Sequence, residues 1–251
     1  AVTDAAIDFM EDNRQGPFYL QLWHYAVHTP IGLDQSRADL TDKYQQKSST
    51  LQPSDPAYAA LLEGMDQSVA RVINYLRETE DPRHPERPLS ENTLVLFYSD
   101  NGGEESRGAS AYNGPLRGEK GTLWEAGIRV PLIAWSDDAD LVEGGTVNHH
   151  PVNTNDFLPT FSALAGVRTD DLVLDGASLL PTLRDASMGD GERALFWHYP
   201  GYIGSRNLKP VSVVRKGQWK LTYHYEDQRF ELYDLVADIG ETSNVAGSNP
   251  R

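Results

Sequence analysis

The order of apolar and polar positions along the chain predicts buried strands separated by helices. The unbroken apolar and β-branched run at residues 93–98 is typical of a strand covered on both faces, and the mostly apolar runs at residues 18–23 and 130–135 predict two further buried strands. Apolar residues at helical spacing predict helices at residues 1–13, 55–76 and 154–165. Buried strands that alternate with helices favour an α/β fold.

The last part of the chain has a different pattern. Short β-rich runs at residues 211–215 and 219–225 flank Lys216-Gly217, which is typical of a hairpin, and residues 230–235 form a further run. We expect a small antiparallel sheet here. The sequence therefore predicts a larger α/β domain over residues 1–185 and a C-terminal subdomain over residues 186–251.

Composition narrows the classes of function. The formal charge of −15 argues against nucleic-acid binding, and the lack of cysteine excludes disulfides and thiolate chemistry within these 251 residues. No apolar run approaches the roughly 20 residues that span a bilayer. The acidity is best interpreted as a solvated surface. A site for an anion would have to be positive locally, and Lys120, His28 and Arg117 are the candidates for that charge.

The loop after the second predicted strand holds the first candidate site. Asp100 and Asn101 come directly after the apolar run and are followed by Gly102-Gly103. Ligands collect beyond the carboxyl ends of strands in α/β sheets. Adjacent carboxylate and carboxamide oxygens suit a hard cation such as calcium or magnesium. The alternative is a tight turn, because Asp-Asn-Gly-Gly is also ordinary turn chemistry.

Cationic candidates lie in two comparable loops. His28 follows the first predicted strand and precedes Thr29-Pro30, and its imidazole could protonate a leaving oxygen or hold an anionic one. Lys120 lies between Gly118 and Gly121, where its ammonium could reach an anion unobstructed. Polar candidates thus follow several apolar strands, a repetition that turns alone do not explain.

These residues lie in motifs that resemble those of the sulfatase family in order and spacing. The matching runs in the first half are Pro17-Phe18-Tyr19-Leu20, His28-Thr29-Pro30, Ser99-Asp100-Asn101-Gly102-Gly103, Leu116-Arg117-Gly118-Glu119-Lys120-Gly121-Thr122 and Arg129-Val130-Pro131. The later runs are Asp156-Phe157-Leu158-Pro159-Thr160, Asp175-Gly176-Ala177-Ser178-Leu179-Leu180-Pro181 and Glu231-Leu232-Tyr233-Asp234-Leu235. The resemblance covers essentially the whole chain.

The resemblance implies a fold, an activity and site residues. The fold would be alkaline phosphatase-like, with a large mixed, mainly parallel sheet flanked by helices, and residues 1–185 would be the later part of the catalytic domain. The activity would be sulfuric ester hydrolysis, in which a formylglycine hydrate attacks sulfur. One divalent cation, usually calcium, would be held by Asp100, Asn101 and two further aspartates. Positions matching His28 and Lys120 contact the sulfate and help the leaving oxygen to accept a proton.

Part of the family pattern is absent from these residues. We find no Cys/Ser-x-Pro-x-Arg motif, from which formylglycine is made, and the adjacent aspartate pairs, Asp137-Asp138 and Asp170-Asp171, come after Asp100. We expect the nucleophile and the other metal ligands upstream of Ala1, so that these residues would be a fragment without activity of its own. A periplasmic or secreted location is implied by the resemblance alone.

Aromatic and cationic side chains gather before the C-terminal hairpin. The predicted loop there contains His198, Tyr199, Tyr202 and Arg206. These groups could hold a sugar or an aryl sulfate, and His198 is the substrate-binding candidate among them. An aromatic packing cluster between subdomains explains them equally well.

Two other functions stay open. A phosphatase or phosphodiesterase of the alkaline phosphatase superfamily would share the fold, but it typically has Asp-His where this chain has Asp100-Asn101. A non-catalytic relative that binds sulfated glycans could keep His28 and Lys120, and only upstream sequence would distinguish it from the enzyme. Among sulfated substrates, family habit favours a carbohydrate over a simple aryl sulfate.

Overall fold

The computed structural model describes residues 2–47, 55–105, 111–204 and 208–248, so Arg206 lies outside the described residues. Contacts divide the chain into two compact units. The first consists of Ala1–Val95, Gly103–Tyr112 and Ser136–Asp138, and the second of Leu96–Gly102, Asn113–Trp135 and Ala139–Arg251. The C-terminal strands share the second unit with the residues around Lys120. The expected domain boundary after residue 185 does not separate these units and stays a prediction.

Helices dominate the first unit. They are α1 (Val2–Asn13), α2 (Ala38–Lys47) and α3 (Pro56–Glu78). The start of α3 is the predicted one, because the Asp55 side chain accepts hydrogen bonds from the N–H groups of Ala57 and Tyr58. The helices bury small and apolar side chains, among them Ala6, Met10, Leu40, Ala60 and Leu76. No helix in the described ranges has the length and apolar character that crossing a membrane requires.

The segment predicted as the first strand, residues 18–23, is extended but has no ladder partner among the described residues. Its side chains alternate in exposure, as in a strand. Phe18 is half-buried, with its ring 6.2 Å from that of Phe9, whereas Tyr19 and Trp23 are 59% and 74% exposed. The prediction of a buried strand is therefore wrong, because every second side chain is exposed and the segment pairs with no described strand.

The next two predicted strands pair with each other. They are β1 (Val95–Tyr98) and β2 (Leu132–Trp135), which form a two-stranded antiparallel sheet. Ile133 is 58% exposed, so β2 is not the buried strand that was predicted, and Tyr98 at the end of β1 is also exposed. Both sheets in the described part of the chain are antiparallel, so the large, mainly parallel sheet is not confirmed by it.

The predicted C-terminal sheet is confirmed. Its strands are β3 (Leu195–Tyr199), β4 (Val211–Lys216), β5 (Trp219–His224) and β6 (Arg229–Asp234), each antiparallel to the next. Gly217 turns the hairpin between β4 and β5 with a φ of +54°. The expectation of a loop at His198 and Tyr199 is wrong, because both lie in β3 and pair with β4.

Short helices complete the second unit. They are α4 (Glu125–Ile128), α5 (Phe157–Leu164) and α6 (Leu180–Arg184). Before α5, the buried carboxylate of Asp156 accepts a hydrogen bond from the N–H of Ala177 at 2.8 Å and pairs with Arg193 at 2.8 Å. A Cβ on Gly176 would lie 2.0 Å from the carbonyl oxygen of Asn155. Two of the runs that resemble the sulfatase family therefore pack directly on each other.

Candidate active site

The loop after β1 presents Asp100 and Asn101 side by side. The Ser99 hydroxyl donates a hydrogen bond to the Asn101 carbonyl oxygen at 2.7 Å. The Gly102 N–H donates to the carbonyl oxygen of Gly127 in α4 at 3.1 Å. Gly102 has no room for a side chain, because a Cβ there would lie 1.6 Å from the Ala126 carbonyl oxygen. Contacts of neighbouring residues and of the backbone thus hold the pair at the end of β1.

The side chains of Asp100 and Asn101 are available to a ligand. Asp100 is exposed and Asn101 is half-buried, and neither side chain has a hydrogen-bond or ion-pair partner among the described residues. Adjacent oxygen donors of this kind fit a hard divalent cation, which takes roughly six to eight oxygen ligands. They would supply part of that shell. Within the described ranges, no three acidic, histidine or cysteine side chains are grouped to hold a metal.

The loop that carries Lys120, residues 117–124, is closed by Thr122. Its hydroxyl donates to the Glu119 carbonyl oxygen at 2.7 Å, and its N–H donates to the same oxygen at 3.0 Å. Gly118 and Gly121 have φ values of +85° and +78°, which favour glycine. The Lys120 side chain is half-buried, and its ammonium has no partner in the described part of the chain. It is therefore available to an anion.

Both of these loops rest on α4. The Asp100 loop packs through Gly102 on the backbone of Ala126 and Gly127. The Lys120 loop packs on Gly127 of the same helix. A Cβ on Gly127 would lie 2.1 Å from the Thr122 carbonyl oxygen. The structure therefore brings the two loops onto one short helix, with glycine required at each contact.

His28 belongs to the first unit. Its Nδ1 lies 2.9 Å from the Thr29 carbonyl oxygen. Because a carbonyl only accepts, Nδ1 carries a proton, and Nε2 is left to accept a hydrogen bond or, when protonated, to donate one. The residue is exposed, with its ring 5.4 Å from that of Tyr25. The catalytic and substrate-binding role of His28 stays a prediction.

His198 is placed on the outer face of the C-terminal sheet. Its Nδ1 lies 2.8 Å from the Ser212 hydroxyl, and its ring lies 5.8 Å from that of Tyr225. Side chains alternate along β-strands, so Thr222 and Lys220, at the buried positions of β5, point to the opposite face. These contacts are those of an aromatic packing cluster, and substrate binding by His198 stays a prediction.

A buried group of charges that the sequence pattern did not reveal lies beside the Lys120 loop. Lys220 is fully buried, with Nζ 3.1 Å from Glu125 Oε1 and 2.8 Å from Glu241 Oε1. Glu125 also pairs with Arg129 at 2.6 Å. Burial raises the pKa of Glu241. Burial opposes ionisation of Glu125 as well, but Lys220 and Arg129 outweigh it and lower the pKa of that carboxyl. The sequence signal that could have indicated this group is Lys220 itself, a lysine at an inward-facing position of a predicted strand.

Arg117 is engaged within the fold. Its guanidinium lies 3.6 Å from the centre of the Trp124 ring, and Nη1 donates to the Glu241 carbonyl oxygen at 2.8 Å and to the Tyr233 hydroxyl at 3.3 Å. Burial and the neighbouring Glu231 raise the pKa of Tyr233 to about 12, so the hydroxyl stays protonated. Of the two cationic candidates in the second unit, Lys120 and not Arg117 is therefore available to an anion.

Comparison with known proteins identifies the family of this chain. The family model named Sulfatase matches residues 1–167, and a model described as N-sulphoglucosamine sulphohydrolase, C-terminal, matches residues 118–250. The chain belongs to the sulfatase family.

Individual relatives agree with this class. A protein named Sulfatase from Formosa agariphila is 38% identical, over 100% of this chain and 46% of its own length. The structure of Ps i-CgsB in complex with k-i-k-neocarrahexaose is 27% identical with a TM-score of 0.80, covering 99% of this chain and 51% of that one. BT4656 in complex with its substrate D-glucosamine-2-N,6-O-disulfate is 26% identical with a TM-score of 0.63, covering 88% and 40%. The chain spans about half the length of the relatives it matches.

Proposed function

We propose that the protein hydrolyses sulfate esters and that Asp100, Asn101, Lys120 and His28 take part in the reaction. Membership of the sulfatase family supports this activity. The observation that carries the proposal is that three polar side chains without partners in the described part of the chain, Asp100, Asn101 and Lys120, stand on two loops held by the same helix, α4.

Each residue has a role that its surroundings permit. The divalent cation, when bound, would polarise the sulfate oxygens, and the formylglycine hydrate expected from the family would supply the nucleophile. Asp100 and Asn101 would direct their oxygens to the cation. Lys120 would hold a peripheral sulfate oxygen by its ammonium, which stabilises negative charge there. His28, with Nδ1 bonded to Thr29, would donate a proton from Nε2 to the leaving oxygen.

A sulfated carbohydrate is the substrate class that we favour. Two similar structures are described in complex with a neocarrahexaose and with a glucosamine disulfate. We extend that chemistry to this protein as a proposal. A periplasmic or secreted location would bring such an enzyme to polymeric substrates, and cell fractionation would test it.

The test is sulfate release by the full-length native protein. Ion chromatography would follow release from a sulfated galactan oligosaccharide, a 6-O-sulfated glucosamine and 4-nitrophenyl sulfate, with bis(4-nitrophenyl) phosphate as the competing substrate. We expect turnover of a sulfated sugar that is lost in Lys120→Ala and kept in Lys216→Ala, a lysine exposed in the β4–β5 hairpin. Preference for the diester would favour a phosphodiesterase. Binding of the sugar without turnover would favour the non-catalytic relative.

The acid role of His28 has its own test. Without a proton donor, the barrier rises most where the leaving alcohol is a poor leaving group, and a general acid contributes about 10²- to 10⁴-fold. His28→Ala should therefore slow release from a sugar sulfate by about 10²-fold or more and from 4-nitrophenyl sulfate much less. Equal losses on both substrates would contradict the acid role. His84→Ala is the matched control, because this imidazole lies in another loop of the first unit.

A further inference from the structure

Glu241 contacts both ends of the loop that carries Lys120. Its carbonyl oxygen accepts a hydrogen bond from Arg117 Nη1, at the start of the loop, at 2.8 Å. Its side-chain Oε2 accepts from the N–H of Glu125, where the loop enters α4, at 2.7 Å. The remaining oxygen, Oε1, lies 2.8 Å from Lys220 Nζ in β5. One residue thus ties the start of the loop and its end to the C-terminal sheet.

Glu241 holds this position in spite of two unfavourable features. Its φ of +51° places a residue with a side chain in the left-handed region, which costs of order 1 kcal/mol or more. Its carboxylate is fully buried, and burial raises its pKa, which means that the environment opposes the charged form. Buried ion pairs add little net stability compared with apolar packing. Strained backbone combined with buried charge is more typical of a residue that fixes a geometry than of one that only stabilises a fold.

The segment around Glu241 is itself firmly attached. Asp238 Oδ2 accepts hydrogen bonds from the N–H groups of Thr242 and Ser243, both at 2.8 Å. Beyond them, the Val245 N–H donates to the carbonyl oxygen of Leu232 in β6 at 2.9 Å. These bonds hold the chain on both sides of Glu241. The position of Glu241, and with it that of the Lys120 loop, is therefore fixed relative to the C-terminal sheet.

We propose that Glu241 is a positioning residue, which fixes both ends of the 117–125 segment so that the Lys120 ammonium is directed to the sulfate group of the substrate. The part of this proposal that directs the Lys120 ammonium to sulfate rests on the proposed function. The fixing of the loop does not, because it follows from the contacts of Arg117, Glu125 and Lys220 with Glu241.

The first measurement does not depend on activity. Hydrogen exchange followed by mass spectrometry would compare the full-length native protein with its Glu241→Ala and Glu241→Gln variants. The glutamine keeps an acceptor for the Glu125 N–H and loses the charge, so it serves if the alanine variant does not fold. Both variants keep the carbonyl oxygen that holds Arg117, so we expect faster exchange mainly at the Glu125 end of residues 117–125 and unchanged exchange in α5. Asp171→Asn, at an exposed acid of the same unit, is the control and should change the exchange rate neither of residues 117–125 nor of α5. Unchanged exchange at residues 117–125 in both Glu241 variants would overturn the inference.

The second measurement tests the direction of Lys120. We expect Glu241→Ala to lower kcat/KM on a sulfated oligosaccharide by about 10²-fold, since a misplacement of 1 Å has effects of that size. The inhibition constant of inorganic sulfate should rise in Glu241→Ala as it does in Lys120→Ala. The double variant should be no slower than Lys120→Ala, because a positioning residue acts through the residue it positions. Losses that multiply in the double variant would overturn the proposal. An inactive wild-type protein would refute the proposed function instead, and the exchange result would then decide the inference.

Discussion

The two compact units support their candidate residues by different means. In the second unit, the Lys120 loop is tied by polar contacts between residues far apart in sequence: Glu125 to Glu241 over 116 positions and Lys220 to Glu125 over 95. In the first unit, His28 follows an extended segment that the helices hold through neutral contacts, such as that of His24 Nε2 with the Ser68 hydroxyl at 3.3 Å. Buried charge holds one candidate, and apolar and hydroxyl contacts hold the segment before the other.

This difference separates the residues on which each candidate depends. Lys120 depends on the C-terminal strands, because β5 supplies Lys220 and the chain after β6 supplies Glu241. The segment before His28 depends on α1 and α3, through Phe9 and Ser68. Changes in the C-terminal sheet should therefore affect the Lys120 loop strongly, and changes in α3 should affect the His28 segment mildly.

The largest effect should come from removing the buried ammonium. Lys220→Met leaves Glu241 buried without a cation and Glu125 with Arg129 alone, and breaking a buried pair in this way costs about 3–5 kcal/mol. Urea denaturation would measure the free energy of unfolding. Lys216→Met, in the same hairpin but exposed, should cost less than about 0.5 kcal/mol. Equal, small losses in both variants would show that the charges do not support the sheet.

The next largest effect should come from filling the contact between the Asp100 loop and α4. A Cβ at Gly102 would lie 1.6 Å from one backbone atom, the Ala126 carbonyl oxygen, and 2.7 Å from another, the Ala126 carbonyl carbon. The backbone would have to move, so Gly102→Ala should lower the free energy of unfolding by about 3 kcal/mol. Gly144→Ala, where nothing lies within 4 Å of the added atom, should change it by less than about 0.5 kcal/mol. A neutral Gly102→Ala would mean that the loop does not rest on α4.

The elements that could be predicted from the sequence are those with local signals. The cap at Asp55 and the turn at Gly217 act within a few residues, so α3 and the β4–β5 hairpin were predictable. The burial of the strands could not be predicted, because it depends on which strands and helices pack beside them. Residues 18–23 show the alternation of a strand with one face exposed. The contacts of Lys220 and Glu241 with Glu125 could not be predicted. The two residues lie 95 and 116 positions after Glu125, and no local pattern indicates that they contact it.

The first unit also buries a carboxylate, but pairs it locally, and this contrast predicts a pH dependence. Burial opposes ionisation of Asp81, yet hydrogen bonds from Arg83 and Asn92 lower its pKa from 3.8 to about 2. A depressed folded-state pKa stabilises the protein above the unfolded value, and this contribution is lost as the pH falls from about 4 towards 2. Its size is at most about 2.5 kcal/mol, because water at the partly exposed Arg83 screens part of the interaction.

Urea denaturation of the wild type and of Asp81→Asn would measure this contribution. The wild type should be more stable at pH 5, and the difference between the two should close as the pH approaches 2. A difference that stays constant between these pH values would contradict the assigned pKa. The Lys220 network of the second unit should be unaffected by Asp81→Asn, since the two groups belong to separate units.

The smallest effect should come from the hydroxyl that joins the His28 segment to the helices. Ser68 is buried, with its Oγ 2.6 Å from the Thr3 hydroxyl and 3.3 Å from His24 Nε2. Burial lowers the pKa of His24, so the imidazole is neutral at pH 7 and the contact is between uncharged groups. A net contribution of about 1 kcal/mol is usual for such hydrogen bonds, so Ser68→Ala should lower the free energy of unfolding by about that much. Ser187→Ala, at an exposed hydroxyl of the second unit, should have a smaller effect. A loss in Ser68→Ala as large as that in Lys220→Met would mean that hydroxyl contacts hold the first unit as strongly as buried charges hold the second.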